Sequence, residues 1–237
     1  VIMRALRSEF ARVNVDRAGL GSAVFAALLG MSVIFVLPEK LSEAPRGVIE
    51  ALFAGLRTTV VTNGVLLSSI YGSFRLTSEL NSGVLARQLM YSKRITLYFS
   101  RAMFAIVGGM AIGAIGCAVG QVAYSLVASM WNLDLALVWT AGLLGLLSAA
   151  WGFGLGAVIG NHFVALFVVP VTLAIAIPLA SLTKDVARLT PFGGQLALVD
   201  EASGTWLAPH NGLMIAIVWV VGMLIAGYLA TERRDVS

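Results

Sequence analysis

Few side chains in this chain are of a type that does chemistry, and their spacing builds no reaction centre. The three lysines, Lys40, Lys93 and Lys184, follow Glu39, Ser92 and Thr183. The phosphate loop G-x-x-x-x-G-K-[ST] needs Gly before its lysine, so this chain does not supply one. The two histidines, His162 and His210, have no clustered cysteines or carboxylates beside them in the sequence, a poor start for a metal site. His162 follows Asn161 in a short turn between apolar runs and reads more readily as a polar turn residue than as a ligand or proton carrier. A nucleophilic serine needs a base in reach, yet Gly72-Ser73 and His210 fall at opposite faces of the membrane in the topology argued below. Proton- or sodium-coupled carriers usually hold acids at membrane depth. Here the apolar runs contain none, and Asp134 sits at the edge of one. The single cysteine, Cys117, makes no intrachain disulfide.

What does stand out is a polar island from Arg75 to Arg101, which gathers Arg75, Arg87, Lys93, Arg94 and Arg101 around one acid, Glu79. It lies in a chain of 237 residues that is 59% hydrophobic and 12% charged, against about 25% charged in a soluble domain. The elements that hold such an island are membrane spans. A bilayer core of about 30 Å takes about 20 apolar residues as helix. Ala18 to Leu37, Ala102 to Leu133 and Ala202 to Thr231 carry no Asp, Glu, Lys or Arg, and each is long enough for one span. Leu135 to Thr183 is charge-free too and long enough for two, broken at Gly160-Asn161-His162. Thr58 to Phe74 is the shortest run and spans comfortably when 51–56 are added. The expected fold is an all-α integral membrane protein with six transmembrane helices in a single domain, at 18–37, 51–74, 102–128, 135–160, 163–182 and 210–230.

The net charge of +4 reads through the positive-inside rule rather than as a nucleic-acid surface. Eleven basic residues fall on one side, in the N-terminal arm (Arg4, Arg7, Arg12, Arg17), the island and the tail (Arg233, Arg234), against five on the other. Both termini and the island, 75–101, are therefore expected to face the cytoplasm. Residues 1–17 place Ile2, Met3, Leu6, Phe10 and Val13 opposite Arg4, Arg7 and Arg12, the pattern of a helix lying in the membrane interface. It serves equally as a topology anchor or as a grip on a partner. The first apolar run is expected to be a retained span, not a cleaved signal.

Other polar residues lie within the spans. Span two carries Arg57, Thr58, Thr59, Thr62, Asn63, Ser68, Ser69 and Tyr71. Hydroxyls bond their own or neighbouring helices, whereas Asn63 and Arg57 belong against protein or water. For Arg57, snorkelling to the outer interface competes with a place inside the protein. Gly109-x-x-x-Gly113, Gly116-x-x-x-Gly120 and Gly152-x-x-x-Gly156-x-x-x-Gly160 predict close packing of spans three and four. Pro170 and Pro178 predict kinks in span five. Apolar residues mixed with turn signals in the outer segment, 183–209, predict short helices dipping back into the membrane.

A basic interfacial arm, six spans and a Glu-x-x-x-Gly loop after span two together resemble the membrane subunit of an ATP-binding-cassette (ABC) exporter of the type-2 permease superfamily. Leu76-Thr77-Ser78-Glu79 running to Gly83, Pro191-Phe192-Gly193-Gly194 before span six, and the closing Arg233-Arg234-Asp235-Val236 are similar to the bacterial antibiotic, bacteriocin and multidrug export branch. Many relatives have Thr after the loop glycine and Pro before the basic pair; here Val84 and Ser92 stand there.

The resemblance implies a division of labour. Two permease chains pair, each docks a separate ABC ATPase that holds ATP and Mg, and this chain itself is no enzyme and carries no cofactor. By position Ser78, Glu79, Asn81, Gly83 and Arg87 would lie at the ATPase contact, with Arg4, Arg7 and Arg12 flanking it. Arg57, Asn63, Ser68 and Tyr71 become candidates to line a translocation path for an amphipathic substrate such as a peptide antibiotic, drug or lipid. The expected location is a bacterial cell membrane. The competing classes are an ion-coupled carrier, for which an inverted repeat is missing, and a membrane scaffold of an immunity or sensor complex.

Overall fold

The computed structural model describes residues 17–38, 41–84, 93–129, 133–199 and 204–234. The described residues form helices and connecting turns, with six helical stretches long and apolar enough to cross a membrane. The interfacial helix expected over 1–17, with Arg4, Arg7 and Arg12, lies outside the described residues apart from Arg17.

Helix α1, Arg17–Met31, tightens into a 3-10 turn, Ser32–Phe35, and the chain leaves it at Pro38. Helix α2, Arg46–Asn81, begins after Pro45, whose fixed φ suits a helix entry. It does not stop at Phe74, as expected, but continues through the first seven residues of the island, 75–81. At 36 residues it is about 54 Å long. Helix α3, Arg94–Ala128, likewise begins eight residues before the charge-free run. Within the island the described residues 75–81 and 94–101 are thus helical, while 85–92 lie outside the described residues. Arg57 and Arg75 lie eighteen residues apart on α2, about 27 Å of helix, which matches the hydrocarbon core. Helix α2 extends beyond both arginines, from Arg46 to Asn81.

Helix α4, Leu135–Ile159, opens on Asp134, whose side chain accepts the Leu137 N–H, and closes on Gly160 at φ 69°. That left-handed cap needs a glycine. Asn161 then caps α5, His162–Ala174, by accepting the Val164 N–H. The fifth span breaks at Ile175 and resumes as α6, Ala176–Leu182. Pro178 has no N–H for the Ala174 carbonyl and its ring crowds that oxygen, so the break sits where the proline puts it. Pro170 stays inside α5. Two short helices follow, α7, Lys184–Arg188, and α8, Pro191–Leu196, the second wholly buried. Helix α9, Pro209–Arg233, completes the chain.

Helices α2, α3 and α4 form the body, joined along small residues. With lipid outside, apolar burial hardly drives helices together, and close backbone contact takes its place. A methyl group on Gly113 would overlap the Ala141 carbonyl, and one on Gly109 the Ala149 methyl, so Gly109-x-x-x-Gly113 packs on α4. The other two motifs serve different neighbours. Gly116 and Gly120 receive α1 at Ala26 and Gly30, while Gly152 and Gly156 receive Ser69 and Ser73 of α2. The exposed faces are apolar, with Leu20, Val24 and Leu28 on α1, Phe163 and Phe167 on α5, and Val218 and Ile225 on α9.

Candidate functional site

The last two turns of α2 and the first two of α3 run side by side, and Glu79 and Arg101 face each other between them. Arg101 Nη2 lies 2.5 Å from Glu79 Oε2; the arginine side chain is 0% exposed and the carboxylate side chain 15%. A buried guanidinium is tolerable only when paired, so the pair ties the two helix ends into one unit. Arg75 places its guanidinium carbon 4.5 Å above the Phe104 ring, a cation–π contact that adds a second α2–α3 link.

The remaining helices are tied to the same end. Buried Thr77 donates to the Ser73 carbonyl at 2.8 Å and sits 3.1 Å from His162 Nδ1. Phe74 meets the His162 ring edge-on, so the start of α5 is fixed to α2. His162 is a packing residue of this junction. Tyr98 donates to the Leu224 carbonyl of α9 at 2.8 Å. Arg94 donates to the Glu232 and Arg234 carbonyls at 2.6 and 3.1 Å, satisfying acceptors that the end of α9 leaves open. Arg234 in turn donates to the Val158 carbonyl of α4 at 3.3 Å. Five helices thus converge around the stems of the island.

Of the residues expected to meet a partner here, Glu79 is turned inward onto Arg101 and is not displayed. Ser78 is half-buried, Asn81 is exposed, and Gly83 has φ 68° with open space where a side chain would begin. Arg87 lies outside the described residues. Arg101 is the buried, paired residue that the basic character of the island conceals, since in sequence it looks like one more exposed cation. A signal was present: Leu97, Arg101 and Ala105 recur every four residues on one helix face, and an arginine on an otherwise apolar face calls for a buried partner.

At the opposite end Arg57 does not stand alone. Its Nη2 lies 3.9 Å from Asp134 Oδ2, the two side chains being 38% and 35% exposed. Gln121 accepts the Asp134 N–H at 2.7 Å and donates to the Asp134 carbonyl at 3.2 Å, bracketing the start of α4 against α3. Tyr124 donates to the Ile49 carbonyl of α2.

The structure does not gather the four expected path residues. Ser68 is fully buried and donates to the Gly64 and Gly109 carbonyls at 2.8 and 3.0 Å. Tyr71 is buried against Gly108. Both belong to the α2–α3–α4 seam inside one chain, because α2 approaches its neighbours closely there. Asn63 is half-buried on α2. No protein-family model and no curated protein matches the chain.

Proposed function

We propose that this chain is the membrane-spanning permease subunit of an ATP-driven exporter of the ABC type, moving an amphipathic substrate such as a peptide antibiotic, drug or lipid out of a bacterial cell. The observation that carries the reading is the paired, ion-locked stem of the island. From Arg75 to Asn81 and from Arg94 to Arg101 the two helices extend about 10 Å past the hydrocarbon core. That is enough to carry the two helix ends past the headgroups. A loop on stiff stems transmits displacement into the spans, whereas a loop on flexible tethers absorbs it. The chain has no phosphate loop of its own, so ATP and Mg belong to a separate ATPase docked on that loop. Ser78, Asn81, Gly83 and Arg87 are the contact candidates, with the arginines of the N-terminal arm beside them.

In this reading both termini are cytoplasmic and a second permease chain completes the path. Arg57 and Asn63 remain its candidate lining from α2, without Ser68 and Tyr71. Helix α8 is a re-entrant element, since Gln195 accepts from Ser148 at 2.7 Å near the middle of α4.

The test is extraction in mild detergent from native membranes, with mass and composition of the intact complex. An ATPase chain in equal number with this one, lost when Asn81 and Gly83 are replaced, is the expected result. A complex without an ATPase refutes the proposal.

A further inference from the structure

One face of α2 is left uncovered by the described residues, yet it lacks the make-up of a lipid-facing surface. Ala51, Gly55, Thr58, Thr59 and Thr62 recur along it at three- and four-residue spacing. Ala51, Gly55 and Thr59 are exposed, Thr58 and Thr62 half-buried. Other uncovered helix faces carry large apolar side chains, such as Leu20 and Val24 on α1, Phe163 and Phe167 on α5, and Val218 and Ile225 on α9. Gly55 has open space where a side chain would begin, whereas Gly72 of the same helix and Gly152 of α4 lie against a neighbouring backbone. A glycine inside a helix weakens it, and the described chain draws no close contact from Gly55 in return. Gly222 of α9 is as open, but it stands among Val218 and Ile225, which suit lipid.

The hydroxyls are an independent sign of a missing neighbour. Ser69, Ser73 and Thr77 of α2 each donate to a carbonyl of their own helix. Thr58, Thr59 and Thr62 make no hydrogen bond among the described residues, and neither does half-buried Asn63 at the margin of the face. All four fall in the charge-free stretch 58–74, where lipid offers no hydrogen-bond partner and an adjoining helix does. A hydroxyl is donor and acceptor at once, so a threonine is satisfied by another threonine. Two copies of one chain inserted the same way round are related by a two-fold axis along the membrane normal, and such a contact sets one surface against itself. We propose that this face of α2 is the contact between two copies of the chain, with Gly55 against the partner's Gly55 and Thr59 exchanging a hydrogen bond with the partner's Thr59. The small side chains let the two helices approach closely. The transport reading asks for a second chain and leaves its identity open; the contact rests on that reading for this need alone and requires no ATPase to form.

Disulfide trapping in native membranes tests the contact. Cys117, the one cysteine of the chain, is buried and is first replaced by Ala. Thr59→Cys and Thr62→Cys, one at a time, are then oxidised with copper phenanthroline. The expected product is a covalent pair of this chain, while Phe167→Cys and Val218→Cys, on other exposed faces, stay single. Gly55→Leu, made with no other change, points into open space and improves helix propensity. It should shift the equilibrium in detergent about tenfold or more toward monomer, read by native mass spectrometry over a dilution series, with the Tm of the monomer unchanged. Trapping from Phe167 or Val218 as readily as from Thr59, a covalent product with a different protein, or a dimer indifferent to Gly55→Leu would each overturn the α2 contact and leave the exporter reading standing. A trapped α2 pair in a complex without an ATPase would support the contact and refute the exporter.

Discussion

The two ends of the bundle each carry an Arg–carboxylate pair between α2 and a neighbouring helix, and they are built in opposite ways. Glu79–Arg101 is closed, at 2.5 Å with the arginine fully buried. Arg57–Asp134 is open, at 3.9 Å with both side chains more than a third exposed and a cleft alongside. The same chemistry therefore does different work. A desolvated pair fixes two helices to each other, because separating them strands a charge. A loose, half-solvated pair fixes little and leaves its donors open to another acceptor. The stiff end is the one that bears the polar island, and the yielding end is the one beside a cavity.

Replacing one partner of the closed pair is the strongest way to break this contrast. Arg101→Met leaves Glu79 confined without its cation, and Glu79→Gln leaves the guanidinium buried; each is expected to destabilise by about 3–5 kcal/mol. Thermal unfolding in detergent measures it. The double variant Glu79→Gln with Arg101→Met should recover most of that loss, since no unpaired charge remains. If the double variant is as unstable as the singles, the pair is not what joins the stems. Under the exporter reading the double variant also separates stability from function: it folds, and its substrate-stimulated ATPase activity falls because the stems are no longer locked.

The open pair should behave otherwise. Arg57→Met is expected to cost less than about 1 kcal/mol in lipid-free detergent, the range of half-exposed ion pairs. A loss equal to that of Arg101→Met would mean that Arg57 holds the fold as firmly as its counterpart, and the contrast between the ends would collapse.

How much of this was legible beforehand follows from what each residue depends on. Membrane spans rest on local composition, so the charge-free runs located all six. Breaks rest on local chemistry as well: Gly160 and Pro178 sit at the interruption after α4 and at that within the fifth span. The ends of α2 and α3 were not legible, because charged residues signal the end of an apolar run and not the end of a helix. Arg75 to Asn81 stay helical as polar residues of a projecting stem. The partners of the charges were less legible still. Glu79 and Arg101 are 22 positions apart, Arg57 and Asp134 77 apart; the apolar face around Arg101 says that it is buried, and nothing local names its partner. Similarly, the glycine motifs showed that backbones approach, but not that α1 meets the second motif of α3 and α2 the motif of α4.

The smallest expected effects sharpen the comparison most. Each end also has a neutral hydrogen bond to α2: Thr77 with His162 at the closed end, and Tyr124 to the Ile49 carbonyl at the open one. Thr77→Val preserves shape and removes the hydroxyl; Tyr124→Phe does the same for the phenol. Each is expected to cost about 1 kcal/mol, the net worth of a typical intramolecular hydrogen bond, read from paired unfolding curves. Equal losses place the difference between the ends in their ion pairs alone. A much larger loss for Tyr124→Phe would mean that the open end is braced by its hydrogen bond instead. Arg57 would then be spared from holding the fold, and the two ends would differ in which kind of bond braces them.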